Sequence, residues 1–241
     1  MLDAKKLLDC AGKNIAEILN QVDPAQIEEI ATALAEAKRV FTAGWGRAGN
    51  IIRILGMDMS QIGKVVFCVG DNGTPSAHPG DLLIINSGSG NTKTIAVLAE
   101  QAKEQGVKVA LISGAAPDAS IIGKIADINV TVPRLKSSFR PPVNENSKNK
   151  GLGERADWGL SQEQREQMDY EDVTGYYEAA FALNEVIRKF VMEKIGAKTE
   201  DITTTTSNKG KSKSGSFLPL FYLHRLLPRK RARVGSEWAK G

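Results

Sequence analysis

The chain has 241 residues, 41% of them hydrophobic and 25% charged, which is enough apolar material for one generous core and too much for a disordered segment. No apolar run approaches the roughly 18 residues of a membrane-spanning helix, and the opening MLDAKKLLDC carries acids where a signal peptide has its apolar stretch, so a soluble, unexported protein is expected. The formal charge of +4 is uneven: residues 207–241 hold nine Lys/Arg and one acid, Glu237, against 23 basic and 27 acidic residues in the remainder. The basic balance thus belongs to the tail, and the body carries no signature of nucleic-acid binding.

In chain order, Leu7, Leu8, Ile15, Ile18 and Leu19 fall at helical spacings, and a second helix is expected where Asp23 caps and Pro24 fills the first turn. A strand over Arg39 to Thr42 runs into Gly44-Trp45-Gly46-Arg47-Ala48-Gly49, after which Ile51, Ile52, Leu55 and Met59 trace a buried helical stripe. Val65 to Val69 is a second strand. The turn-rich DNGTPSAHPG follows, and then Asp81 to Asn86, an apolar run buried on both faces. The segment Asn91 to about Gln105 is helical, Val107 to Ser113 a strand, Ala119 to Ala126 a short helix and Ile128 to Val132 a last strand.

Five apolar strands, most of them separated by helices, imply a doubly wound α/β fold: a five-stranded parallel sheet with helices on both faces. Residues 134–172 are polar and contain Pro141-Pro142, and read as a loop or insertion. Tyr176, Tyr177, Ala180, Phe181, Leu183, Ile187, Phe190, Val191 and Ile195 then describe a long helix closing near Gly196. The domain is expected to span 1–206. The basic tail, 207–241, reads as an incidental extension; FLPLFYLHRLL is too short to span a bilayer and is broken by proline. Cys10 and Cys68 lie far apart and form no C-x-x-C pair, so neither a disulfide framework nor a structural metal is expected and a reduced cytoplasm fits.

Chemistry concentrates at two glycine turns. Asn86-Ser87-Gly88-Ser89-Gly90-Asn91-Thr92-Lys93-Thr94 joins the carboxyl end of a central strand to a helix start, the edge where ligands collect in such sheets. Its glycines let the backbone approach an anion, and Ser87, Ser89 and Thr92 add hydroxyl donors to the helix's first-turn amides, a setting suited to a phosphate. An ordinary capped turn is the alternative. The first turn matches G-x-G-x-x-G between strand and helix, so a dinucleotide site is weighed as well. The ribose-binding acid that pattern requires has only Asp71 as a candidate, already beyond the second strand. Arg47 in this turn suits a sugar oxygen or a phosphate.

GWGRAG and SGSGNT, in this order, resemble the sugar isomerase (SIS) domain family, whose members carry G-x-G-x-S after the first strand and S-x-S-G-x-T after the third. Within it the chain looks most like the 6-phospho-3-hexuloisomerases, through the N-terminal helix pair, GWGRAG, DLLIINSGSGNTKT and the last helix, over roughly residues 1–202. The resemblance implies a flavodoxin-like sheet and cofactor-free conversion of a 3-hexulose 6-phosphate to fructose 6-phosphate through a cis-enediol. It also implies a homo-oligomer, dimer or tetramer, with sites between subunits. By match to the family, Ser87, Ser89 and Thr92 hold the phosphate, Gly46 and Arg47 lie near the sugar, and Glu178, closing Thr174-Gly175-Tyr176-Tyr177-Glu178, is the base. Its apolar sequence neighbours suggest partial desolvation of the carboxylate.

This chain departs from the family in carrying Ala48 where a serine is usual, in a longer loop 134–172, and in lacking the family's C-terminal histidine. His78 is the alternative proton donor in the body. A non-catalytic phosphosugar sensor is therefore the second reading.

Overall fold

The structure is a computed structural model that describes residues 2–135, 161–163, 167, 170 and 174–199. Most of the polar stretch 134–172 and all of the basic tail 207–241 lie outside the described residues.

Two capped helices open the chain. Asp3 accepts from the Lys5 and Lys6 amides to start α1, Ala4–Leu19, and Asp23 accepts from Ala25 N to start α2, Pro24–Glu36, with the proline in its first turn. The sequence then alternates strand and helix: β1 Val40–Ala43, α3 Gly46–Gln61, β2 Val66–Cys68, β3 Leu82–Asn86, α4 Lys93–Glu104, β4 Lys108–Ser113, α5 Ile121–Ile125, β5 Ile128–Thr131 and α6 Tyr176–Ile195. The short helix expected from Ala119 is divided: Pro117–Ala119 forms a single 3-10 turn, and Ser120 caps α5 through Gly123 N.

All five strands are parallel, in the order β2-β1-β3-β4-β5. The chain leaves β1 for one edge and returns through residues 69–81 to place β3 on its other side. The reversal of winding between β1 and β3 opens a crevice at their carboxyl ends. Alternation along β3 divides the core: Leu82 and Ile84 face a cluster with Ile30, Leu34, Ile52, Leu55, Leu183 and Ile187, while Leu83 and Ile85 face one with Ile95, Ala99 and Ile122. Helices α2, α3 and α6 therefore cover one face and α4 and α5 the other. Among the described residues no helix is long and apolar enough to cross a membrane.

The opposite, amino edge of the sheet carries the ionic anchors. Asp81, just before β3, receives Arg39 Nε at 3.1 Å, Arg39 Nη2 at 2.5 Å and the His78 amide at 2.8 Å. Asp127, just before β5, binds Lys103 and accepts from Val109 N. Lys64 Nζ donates to the carbonyls of Ala35 and Ala37 at the end of α2.

Burial pushes the Asp81 carboxyl up, but the Arg39 hydrogen bonds, the His78 amide and the Arg39 charge together hold it below the usual aspartate range. A depressed carboxylate stabilises the fold above its unfolded value near 3.9 and loses that contribution as the pH falls through the folded value. Asp81→Asn is expected to cost about 2–3 kcal/mol at neutral pH, because it leaves Arg39 with a neutral partner. In urea unfolding the gap between variant and wild type closes progressively below about pH 4.

Candidate active site

Both glycine turns emerge at the carboxyl edge, one from β1 and one from β3, and their approach is enforced by missing side chains. A Cβ on Gly49 would lie 2.4 Å from the carbonyl oxygen of Gly44, and one on Gly44 would lie 2.8 Å from Asn86 O. The first turn of α3 thus folds back onto the end of β1 and against β3. Trp45, the residue before α3, reaches across to the second turn and donates its indole N–H to Thr94 Oγ1 at 2.9 Å. The two turns are thereby joined side chain to side chain.

Between them lies a cleft of about 140 Å³ lined by Trp45, Ala48, Asn86, Ser87, Gly88, Ser89, Thr92, Arg134 and Tyr177. Its lining is largely polar, and the three hydroxyls named from the sequence are all present. Ser87 is buried, with its Oγ 3.1 Å from Thr92 Oγ1. Thr92 is the N-cap of α4, yet its hydroxyl makes no cap hydrogen bond. The first-turn amides of a helix have no intrahelical acceptor, so α4 offers donors at the same point. Asn91 holds the turn in place: its amide N–H donates to Ser89 Oγ at 3.2 Å and its side-chain carbonyl accepts from Ile121 N at 2.9 Å.

Arg134 adds the positive charge. It stands three residues past the end of β5, its guanidinium is 5.7 Å from the Tyr176 ring centre, and its Nη2 lies 2.8 Å from where a Gly88 Cβ would be. No carboxylate among the described residues pairs with it. By composition alone Arg134 opens the polar loop; the signal that could have found it is its position shortly after a strand in a parallel sheet, which puts it at the carboxyl edge. Trp45 likewise lines the cleft without having been expected there, and Asn86, which opens the serine segment, lines it without having been given a role. Their places in the two turns are legible from sequence, but their side-chain directions are not.

Glu178 and Arg47 stand together beside the cleft. Arg47 stacks over the Tyr177 ring at 4.0 Å and its Nη1 lies 4.0 Å from Glu178 Oε1, while Glu178 Oε2 accepts from Gly175 N at 2.8 Å. Glu178 is half-buried, its side chain 39% exposed. Ala179 and Ala180, next to it in sequence, are fully buried because they turn to the opposite side of α6. Gly46 begins α3 with φ +58° and is exposed, adjacent to the Trp45 wall.

His78 is not brought to this site. It lies in the loop before β3, where its carbonyl accepts from Asp81 N and its amide donates to Asp81, at the amino edge and thus a full strand length from the cleft. In a parallel sheet, residues that precede a strand and residues that follow one lie at opposite edges.

Known proteins resemble this chain. The SIS domain family model matches residues 33–140, which include both turns and all five strands. The chain is 35% identical to a 3-hexulose-6-phosphate isomerase of Mycobacterium gastri over 136 residues, 56% of this chain and 67% of that one. It is also 35% identical to a 3-hexulose-6-phosphate isomerase of Methylomonas aminofaciens over 127 residues, 53% of this chain and 69% of the relative. The chain belongs to the SIS domain family.

The SIS fold extends to solved structures. A Methanococcus jannaschii protein, described as hypothetical with an inferred molecular function of 3-hexulose-6-phosphate isomerase, superposes with a TM-score of 0.58 at 21% identity, covering 84% of this chain and 98% of its own. Against the family's G-x-G-x-S turn, this SIS domain presents the Ala48 methyl in the cleft wall. Hydroxyl groups in the cleft lining therefore come from Ser87, Ser89 and Thr92, and its guanidinium from Arg134.

Proposed function

We propose that the protein is a sugar-phosphate isomerase that converts a 3-hexulose 6-phosphate to fructose 6-phosphate through a cis-enediol. The observation that carries the reading is the hydroxyl-lined turn, Ser87 to Thr92, at the start of α4 and opening into the polar cleft. It is supported by the likeness to 3-hexulose-6-phosphate isomerases at 35% identity.

A phosphate dianion seated on this turn receives the Ser87, Ser89 and Thr92 hydroxyls and the first-turn amides of α4, with Arg134 across the cleft. The carbon chain then extends past Trp45 toward Arg47 and Glu178. Glu178 Oε1, not engaged in the helix cap, takes the proton from C2. The C2–C3 enediol forms, the hydroxyl hydrogen passes from the C2 oxygen to the C3 oxygen, and the carboxyl returns its proton to C3. Only a carbonyl moves, so the reaction needs no external oxidant or reductant. Arg47 stands beside Glu178 and near the sugar oxygens, where it can steady the developing negative charge.

We further place the protein in the reduced cytoplasm, a reading supported by the free thiols Cys10 and Cys68. We read it as a homo-oligomer, supported by large apolar side chains left in water on α1 and α6, with Leu8 at 73% and Phe181 at 46% exposure.

Incubating the purified full chain with D-arabino-hex-3-ulose 6-phosphate and following fructose 6-phosphate tests the central reading, with turnover as the expected result. Saturable binding without product would instead make the domain a phosphosugar sensor.

A further inference from the structure

Asn86 is the last residue of β3, and its side chain lies on the same face as Leu82 and Ile84, under the second glycine turn. It borders the cleft and is 1% exposed. Its side-chain oxygen is engaged: the Tyr176 hydroxyl lies 2.6 Å from Asn86 Oδ1 and 3.0 Å from Ile112 O, one hydrogen shared between two acceptors. Its side-chain nitrogen is not. Asn86 Nδ2 is buried with no hydrogen-bond partner, which leaves two unpaired N–H donors in a residue that lines the polar cleft.

Buried amide donors are nearly always satisfied, so an unpaired pair of this kind calls for an acceptor that arrives from outside. Burial pushes the Tyr176 phenol far above its usual range, so its hydroxyl remains a neutral donor that fixes which end of the amide is held.

We propose that the Asn86 amide N–H groups donate to the sugar oxygen that carries negative charge in the enediolate, and that Tyr176 is the positioning residue that holds the amide for this purpose. This rests on the isomerase reading above for the identity of the oxygen, but not for the existence of the donor. A neutral N–H donor in a buried site binds an oxyanion far more strongly than it binds the hydroxyl or carbonyl of the ground state, because it meets the charge only as the charge forms. It therefore acts on a different part of the ligand from the serine turn.

Two probes separate these parts: inorganic phosphate, which fills the serine turn alone, and a phosphorylated sugar hydroxamate, which carries both the phosphate and a planar anionic mimic of the enediolate. In calorimetric titrations of the full chain, Asn86→Ala is expected to weaken the hydroxamate about 10- to 100-fold, the range for losing a hydrogen bond to a charged group. Phosphate binding should stay within about twofold of wild type, since its donors are untouched.

Tyr176→Phe keeps Asn86 and removes the hydroxyl that orients it, so the hydroxamate should weaken in the same sense while phosphate affinity holds. A purely structural role for Tyr176 would not move that ratio, and this variant carries the test if Asn86→Ala does not fold. A hydroxamate-to-phosphate ratio equal to wild type in the folded variants overturns the inference, as does a wild-type cleft that prefers the hydroxamate no more than phosphate. Asn86-dependent hydroxamate binding without any fructose 6-phosphate formation would support the donor and remove the isomerase reading. Wild-type turnover by Asn86→Ala would do the reverse.

Discussion

Glu178→Gln should reduce turnover of the 3-hexulose 6-phosphate by about 10²- to 10⁴-fold, the range general base catalysis contributes, with little change in KM. The substitution isolates the chemistry because glutamine keeps what the helix requires. Gly175 has no side chain to cap α6, and the cap consists of Glu178 Oε2 accepting from Gly175 N; a glutamine carbonyl at this third helical position accepts the same bond. What it cannot do is take a proton from carbon. The lost attraction to Arg47 is slight, since the groups stand 4.0 Å apart with side-chain exposures of 71% and 39%, and exposed pairs of this kind contribute about 0–1 kcal/mol. A variant that unfolds at the wild-type temperature and has lost its rate identifies the base. A variant that retains the rate removes Glu178 from the reaction.

Gly49→Ala is expected to be the most damaging single methyl in the protein's first turn. The added Cβ would meet the Gly44 carbonyl carbon at 2.8 Å and its oxygen at 2.4 Å. Both are backbone atoms, which cannot swing away as a side-chain tip can. Relief requires α3 to lift from the end of β1, and Ile52, Leu55 and Met59, which are fully buried on that helix, would lift with it. Overpacking of this kind costs about 3 kcal/mol, which lowers the melting temperature by about 6–12 °C in a chain of this size. Trp45 and Ala48 form the cleft wall on the same turn, so activity should fall beyond what the stability loss explains. Gly46→Ala is the control: at that position nothing lies within 4 Å of a Cβ, and the penalty is restricted to the left-handed backbone, about 1–2 kcal/mol.

The sheet was legible because parallel strands covered on both faces must be written as unbroken apolar runs, and Leu82 to Ile85 and Val109 to Ile112 are such runs, too short for a buried helix. The serine turn was legible for a related reason: hydroxyls and glycines in an alternating run, directly between such a strand and a helix, mark a helix N-terminus that approaches a ligand. Direction was harder to read in one dimension. Glu178 sits among apolar residues in sequence and beside Arg47 in space, since a helix sends neighbours to different sides. His78 and Ser87 are nine positions apart and lie at opposite ends of one strand. Arg134 falls at a break in composition, where the eye follows the loop that begins rather than the strand that has just ended. Asn86 closes an apolar run, and its sharing of Tyr176 with Ile112 depends on a helix 90 residues further on.

The one-way orientation of the strands divides labour between the two rims of the molecule. The Arg39–Asp81 and Lys103–Asp127 clasps and the Lys64 tether secure the starting ends, and every group assigned to the ligand sits at the finishing ends. Changes that retune the preferred sugar can therefore accumulate at one rim without loosening the fastenings at the other. Selection can explore new substrates on this scaffold while its thermal endurance is inherited intact.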